Sequence, residues 1–135
     1  AADVGLTRNI SSRINVGGAI LNFGKMSALR SEEPKLPLRY ITTANVLVET
    51  GQLVNNISIT GEWSSLIKSS VFYVSTVSRL NNFEFRLSSK LSKEVTEISG
   101  GVGLQFGIYG LNYGVRFGSQ NLGMPQMIDL TIQLP

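Results

Sequence analysis

The feature that most constrains this chain is a period-two alternation of apolar with polar or small residues, sustained over unusually long segments. In residues 95–109, Ile98, Gly100, Val102, Leu104, Phe106 and Ile108 share one parity, while Ser99, Gly101, Gly103, Gln105, Gly107 and Tyr109 share the other. Strand side chains point alternately to opposite faces, so this spacing predicts a strand with one greasy face and one small or polar face. Leu104 is expected near mid-strand on the greasy side, and Gln105 on the other. The split repeats in Leu111, Tyr113, Val115 and Phe117 against Asn112, Gly114, Arg116 and Gly118. It repeats again in Ile128, Leu130, Ile132 and Leu134 against Asp129, Thr131 and Gln133.

Upstream the polar parity gains charges. Phe83, Phe85 and Leu87 oppose Glu84, Arg86 and Ser88, and Ile57, Ile59 and Trp63 oppose Ser58, Thr60 and Glu62. Leu38, Tyr40, Ala44, Val46 and Val48 oppose Arg39, Thr43, Asn45 and Glu49. Residues 3–8 and 13–23 form two shorter or mixed segments, carried by Val4 and Leu6 and by Ile14, Val16 and Ile20. In residues 70–80 both parities are apolar, Val71, Tyr73 and Val77 on one and Phe72 and Val74 on the other, so the greasy side stays open. These nine segments predict an all-β, antiparallel chain forming a single domain over residues 1–135.

Most of the segments run about 9 to 12 residues, the length of a tilted strand crossing a bilayer and longer than the usual soluble strand of about 5 or 6. Charged residues make up 16% of the chain, against about 25% in soluble domains, so part of the surface is not built for water. No apolar run approaches the roughly 18 to 20 residues of a transmembrane helix, and a membrane chain without helices must be a closed barrel. Connections predicted at 9–12, 50–55, 80–82 and 109–110 are compact, and they alternate with links at 25–37, 66–69, 92–94 and 119–125. Short periplasmic turns opposite longer outer loops give that alternation, although 66–69 fits it weakly. The link 25–37 carries Lys25, Arg30, Glu32, Glu33 and Lys35 with two prolines and is expected in water outside the membrane. Ala1-Ala2-Asp3-Val4 has no signal-peptide character.

The chain has no cysteine and no histidine, which excludes disulfides, thiolate chemistry, Ser-His-Asp triads and the commonest metal ligands. The reading is therefore not an enzyme, with no cofactor and no metal. The net charge of +3 is scattered, so no basic stripe exists for nucleic acid. Glu62, Glu84, Glu97 and Asp129 offer carboxylates for acid–base work, but a barrel lumen carries charges anyway. Arg39, Arg86 and Arg116 share the polar parity with Glu49, Glu62 and Glu84; cross-strand Arg–Glu ladders are the simpler reading, and coordination of an anion the sharper one. The candidate lumen-facing set is Arg39, Glu49, Glu62, Glu84, Arg86, Arg116 and Asp129. Residues 100–107 resemble a glycine-rich phosphate loop only superficially, because no helix follows. Trp63, Tyr40, Phe117, Phe83 and Tyr113 are expected near strand ends, as interfacial girdles require.

Four stretches carry a family resemblance: Ala2-Asp3-Val4-Gly5-Leu6; the run from Ile14-Asn15-Val16-Gly17-Gly18 to Asn22-Phe23-Gly24; Leu36-Pro37-Leu38-Arg39; and Val102-Gly103-Leu104 through Asn121-Leu122-Gly123 to Ile128-Asp129-Leu130. In their order the chain resembles the C-terminal portion of the PorV/PorQ group of Bacteroidetes-type outer-membrane proteins, relatives of the FadL-type transporters. That resemblance implies a bacterial outer-membrane barrel of fourteen strands, of which these are the last nine. It implies a role either as a subunit of a type IX-like secretion system, meeting a translocon or secreted cargo, or as a transporter or channel for hydrophobic compounds. The chain ends in Leu134-Pro135 where barrel-assembly signals have an aromatic residue. The competing class is a soluble all-β binding or adhesin module whose apolar faces meet in a dry core.

Overall fold

A computed structural model describes residues 2–24, 36–119 and 123–133. They form β1 (Ala2–Asn9), β2 (Ile14–Phe23), β3 (Arg39–Thr50), β4 (Leu53–Ser64), β5 (Ser69–Leu80), β6 (Phe83–Ser92), β7 (Thr96–Phe106), β8 (Tyr109–Gly118) and β9 (Gln126–Ile132). Each pairs antiparallel with its sequence neighbour in one up-and-down sheet of nine strands. Among the described residues nothing pairs with the outer edges of β1 and β9, so the sheet is open.

Connections alternate in length. Residues 10–13, 51–52, 81–82 and 107–108 close one end; the opposite end has links at 24–38, 65–68, 93–95 and 119–125. Most of the predicted loop 25–37 lies outside the described residues. The tight turns use backbone that turns left-handed at Gly51, Asn81 and Gly107, with φ of 61°, 51° and 59°; glycine and asparagine accept that region at least cost. The turn expected at 109–110 falls at 107–108 instead. Ile108 keeps the apolar phase across the turn and so hides it, and Tyr109 pairs with Phe106 on the apolar face. Leu104 consequently sits two residues from the end of β7, not near its middle.

Register fixes the faces, because directly paired residues project to the same side. Val48, Asn55, Ser78, Phe85, Val102, Tyr113 and Ile128 form one chain of pairs from β3 to β9 on the apolar face. The open question at β5 is settled by the same ladder. Phe72 and Val74 pair with Gly61 and Ile59 on the apolar face, whereas Val71, Tyr73 and Val77 join the polar one. On the greasy side Phe72 lies against Gly61, where a Cβ would stand 3.4 Å from the ring.

No second layer covers either face among the described residues. Among the described apolar side chains only Val71 is buried, while Ile59, Leu87 and Val102 remain 53%, 56% and 47% exposed. More than two dozen large apolar side chains on this face share that state. Full burial of each is worth about 1.5–3 kcal/mol, so together they outweigh the roughly 5–15 kcal/mol that holds a domain folded. Among the described residues there is no second sheet of the kind a sandwich core needs, and the apolar face demands a non-aqueous neighbour.

Aromatic residues gather toward both ends of the greasy face. Tyr40 pairs with Trp63, ring centroids 5.6 Å apart, at the long-link end, with Phe117 at the same end of β8. Phe83, Phe106 and Tyr109 mark the short-turn end. Tyr113, expected at a strand end, is mid-strand in β8; its hydroxyl donates to Gln126 Oε1 at 3.0 Å.

Candidate functional site

On the polar face the ladders line residues up in rows that run across the strands. The row nearest the short turns is Glu49, Val54, Arg79, Glu84, Gly103, Asn112 and Asp129, one residue from each of β3 to β9. Arg79 Nε donates to Glu84 at 2.5 Å, and Arg86, one pleat inward, donates to the other carboxylate oxygen. Arg86 Nη2 continues to Asn112 Oδ1 at 3.1 Å, Asn112 Nδ2 donates to Asp129 at 3.2 Å, and Thr131 Oγ1 donates to the same oxygen at 3.1 Å. β7 contributes an absence: a Cβ on Gly103 would stand 2.8 Å from Asn112 Oδ1, so glycine lets the chain of contacts pass over this strand.

The middle row is Asn9, Asn15, Asn45, Ser58, Ser75, Ser88, Ser99 and Arg116, running from β1 to β8. It holds amides, hydroxyls and one cation, with no apolar side chain. Asn15 donates to Asn9 at 2.7 Å. Toward the long links the next row is Thr7, Gly17, Thr43, Thr60, Tyr73, Lys90, Glu97 and Gly118. In it the Thr43 and Thr60 hydroxyls meet at 3.0 Å and Lys90 stands 3.9 Å from Glu97. Beyond lies the Arg39–Glu62 pair at 2.7 Å.

All seven candidates, Arg39, Glu49, Glu62, Glu84, Arg86, Arg116 and Asp129, therefore project from one face, but not as one cluster. Glu84, Arg86 and Asp129 belong to the short-turn network, Glu49 shares their row without a contact to them, Arg39 and Glu62 pair at the opposite end, and Arg116 stands apart. Exposed ion pairs contribute only about 0.2–1 kcal/mol each, so the network sets side-chain position and local charge more than stability. Arg79, Asn112 and Thr131 were missed by sequence reasoning. The mixed parity of β5 hid Arg79, and uncharged residues such as Asn112 and Thr131 carry no signal until register is known.

Glu84 and Asp129 stand three strands apart, roughly 14 Å at the usual strand spacing, too far for shared acid–base work. No group of three or more acidic residues converges as a metal site among the described residues.

No family model matches the chain, and no curated protein does. Solved structures that it resembles include a KdgM porin, with a TM-score of 0.56 at 7% identity, and a KdgM porin in complex with disordered oligogalacturonate, with a TM-score of 0.55 at 8% identity. Each match covers 96% of this chain and 74% of the porin chain. The architecture is thus an antiparallel up-and-down sheet similar to that of a porin barrel. These comparisons lend no support to the PorV/PorQ resemblance, to type IX secretion or to uptake of hydrophobic compounds.

Proposed function

We propose that these nine strands are part of a β-barrel of the bacterial outer membrane, and that their polar face lines a water-filled channel for small hydrophilic solutes. The observation that carries this reading is the distribution of side chains: a broad apolar face that no second layer covers among the described residues, backed by a face that is polar, ion-paired and hydroxyl-rich. Strand length agrees. Twelve residues in β4 span about 37 Å along the strand, and a tilt of 35–45° brings that to about 28 Å, close to the roughly 25 Å apolar band of such barrels.

Lipid leaves no partner for backbone groups at the edges of β1 and β9, so further strands must complete the sheet. β1 and β9 run in the same direction, and antiparallel closure therefore takes an odd number of additional strands. Scaling nine strands by the 74% share of the porin chains gives about twelve in all, three more than here and fewer than the fourteen of the PorV/PorQ resemblance.

A charged, hydrogen-bonded face disfavours hydrophobic cargo, and no surface here distinguishes a translocon partner. The porin that holds an oligogalacturonate supports a hydrophilic solute. The test is solute entry into liposomes carrying the full-length protein. Swelling in small neutral sugars that fades with sugar size is expected; sealed vesicles containing correctly inserted protein would contradict the channel.

A further inference from the structure

Among the described residues five strand cations project from the polar face: Arg39, Arg79, Arg86, Lys90 and Arg116. Four are met by a carboxylate, Arg39 by Glu62, Arg79 and Arg86 by Glu84, and Lys90 by Glu97. Arg116 has no such contact among the described residues. It ends the middle row, whose other members, from Asn9 to Ser99, are uncharged. Arg116 is exposed: Gly114 and Gly118 flank it on its own face of β8, Ser99 lies opposite on β7, and Met127 of β9, paired with Gly114, is an uncharged neighbour that gives it no counter-ion. The nearest carboxylate by register is Glu97, on the diagonal, and Lys90 already engages it. Of the carboxylates outside the ion pairs, Glu94 lies in the β6–β7 link; Asp129, on the adjacent strand, pairs with Asn112, four residues or about 13 Å along β8 from Arg116; and Glu49 lies as far along and several strands away. Asp3 lies at the far end of β1, where it accepts the Asn22 N–H. The separations from Asp129 and Glu49 exceed a Debye length of about 8 Å at physiological ionic strength.

From this placement, and resting on the channel reading above, we infer that Arg116 is a specificity-determining residue that biases the conduit toward small anions over cations of equal size. A unit charge about 8 Å from a passing ion in water acts with an energy near the thermal energy, favourable for one sign and unfavourable for the other. With salt screening, the permeability ratio shifts about two- to six-fold.

The experiment is the zero-current potential of the full-length protein in planar bilayers under a potassium chloride gradient. Arg116→Gln is expected to lower the chloride-to-potassium ratio by that factor, Arg116→Glu to lower it further, and Arg116→Lys to keep it. An unchanged ratio in both Arg116→Gln and Arg116→Glu, with conducting channels, overturns the assignment and leaves the channel reading standing. Wild-type protein that inserts but carries no current overturns both.

Discussion

Replacing Leu87 by arginine probes the assignment of faces where it is most consequential. Leu87 occupies the middle of β6, pairs with Thr76 and Gly100 on the apolar face and is 56% exposed. Four residues separate it from Phe83 at the strand end, about 14 Å of strand, or about 10 Å of depth at the usual tilt. That depth is close to the midplane, where an arginine on the lipid side costs about 2–4 kcal/mol. Leu87→Arg should therefore reduce the folded-to-unfolded ratio roughly thirty-fold to several-hundred-fold. Ser88→Arg projects into the middle polar row beside Ser75 and Ser99 and should cost under about 1 kcal/mol. Leu104→Arg, about 5 Å from the short-turn boundary, should fall between them, near 1 kcal/mol. Leu87→Phe should be tolerated, because lipid accepts a larger apolar group that a packed core resists by about 1–3 kcal/mol. The assay is urea-dependent folding of the full-length protein into lipid vesicles, read by the heat-modifiable mobility shift of folded barrels. The reasoning fails if Ser88→Arg costs as much as Leu87→Arg, or if Leu87→Phe is as damaging as the arginine.

Three further outcomes follow from the same geometry. Gly101→Ala should destabilise by about 1–3 kcal/mol, because its Cβ would stand 2.9 Å from the Tyr113 carbonyl oxygen, whereas Gly100→Ala meets nothing within 4 Å and should be nearly silent in the same folding assay. A single cysteine at Lys93, in a link of the long-link end, should react with impermeant maleimide in intact cells, and one at Gln52 only after the outer membrane is opened; the reverse pattern inverts the topology. Residues 1–135 expressed alone should not give a monodisperse, heat-resistant monomer, since two strand edges remain unpaired; gel filtration and mobility shift check this.

Alternation was enough to foresee the strands and the two faces, because a period of two is imposed by backbone geometry whatever the sheet later meets. It failed where two-residue turns and apolar residues on the polar side kept the phase. Ile108 continued the pattern through the turn at 107–108, and only Gly107, with its left-handed φ, marked the break. Val71, Tyr73 and Val77 blurred β5 because the polar face tolerates them beside Glu62, Lys90 and Arg86, their register partners. The seven candidate residues were legible as sharing a face, yet their grouping was not. Rows such as Ser58, Ser75, Ser88 and Ser99 depend on register across separate turns, and a one-residue error in any turn rearranges them. The isolation of Arg116 became visible only after each other cation of the polar face had found its carboxylate.

The central claim, that one face of these strands meets lipid and the other water, is tested most directly by spin labels placed one at a time along β6 in the full-length protein in bilayers. Labels at Phe83, Phe85, Leu87, Ser89 and Leu91 should collide preferentially with lipid-soluble oxygen, and labels at Glu84, Arg86, Ser88, Lys90 and Ser92 with a water-soluble nickel complex, giving a period of two along the strand. Accessibility that does not alternate, or that alternates with the opposite phase, would contradict the account.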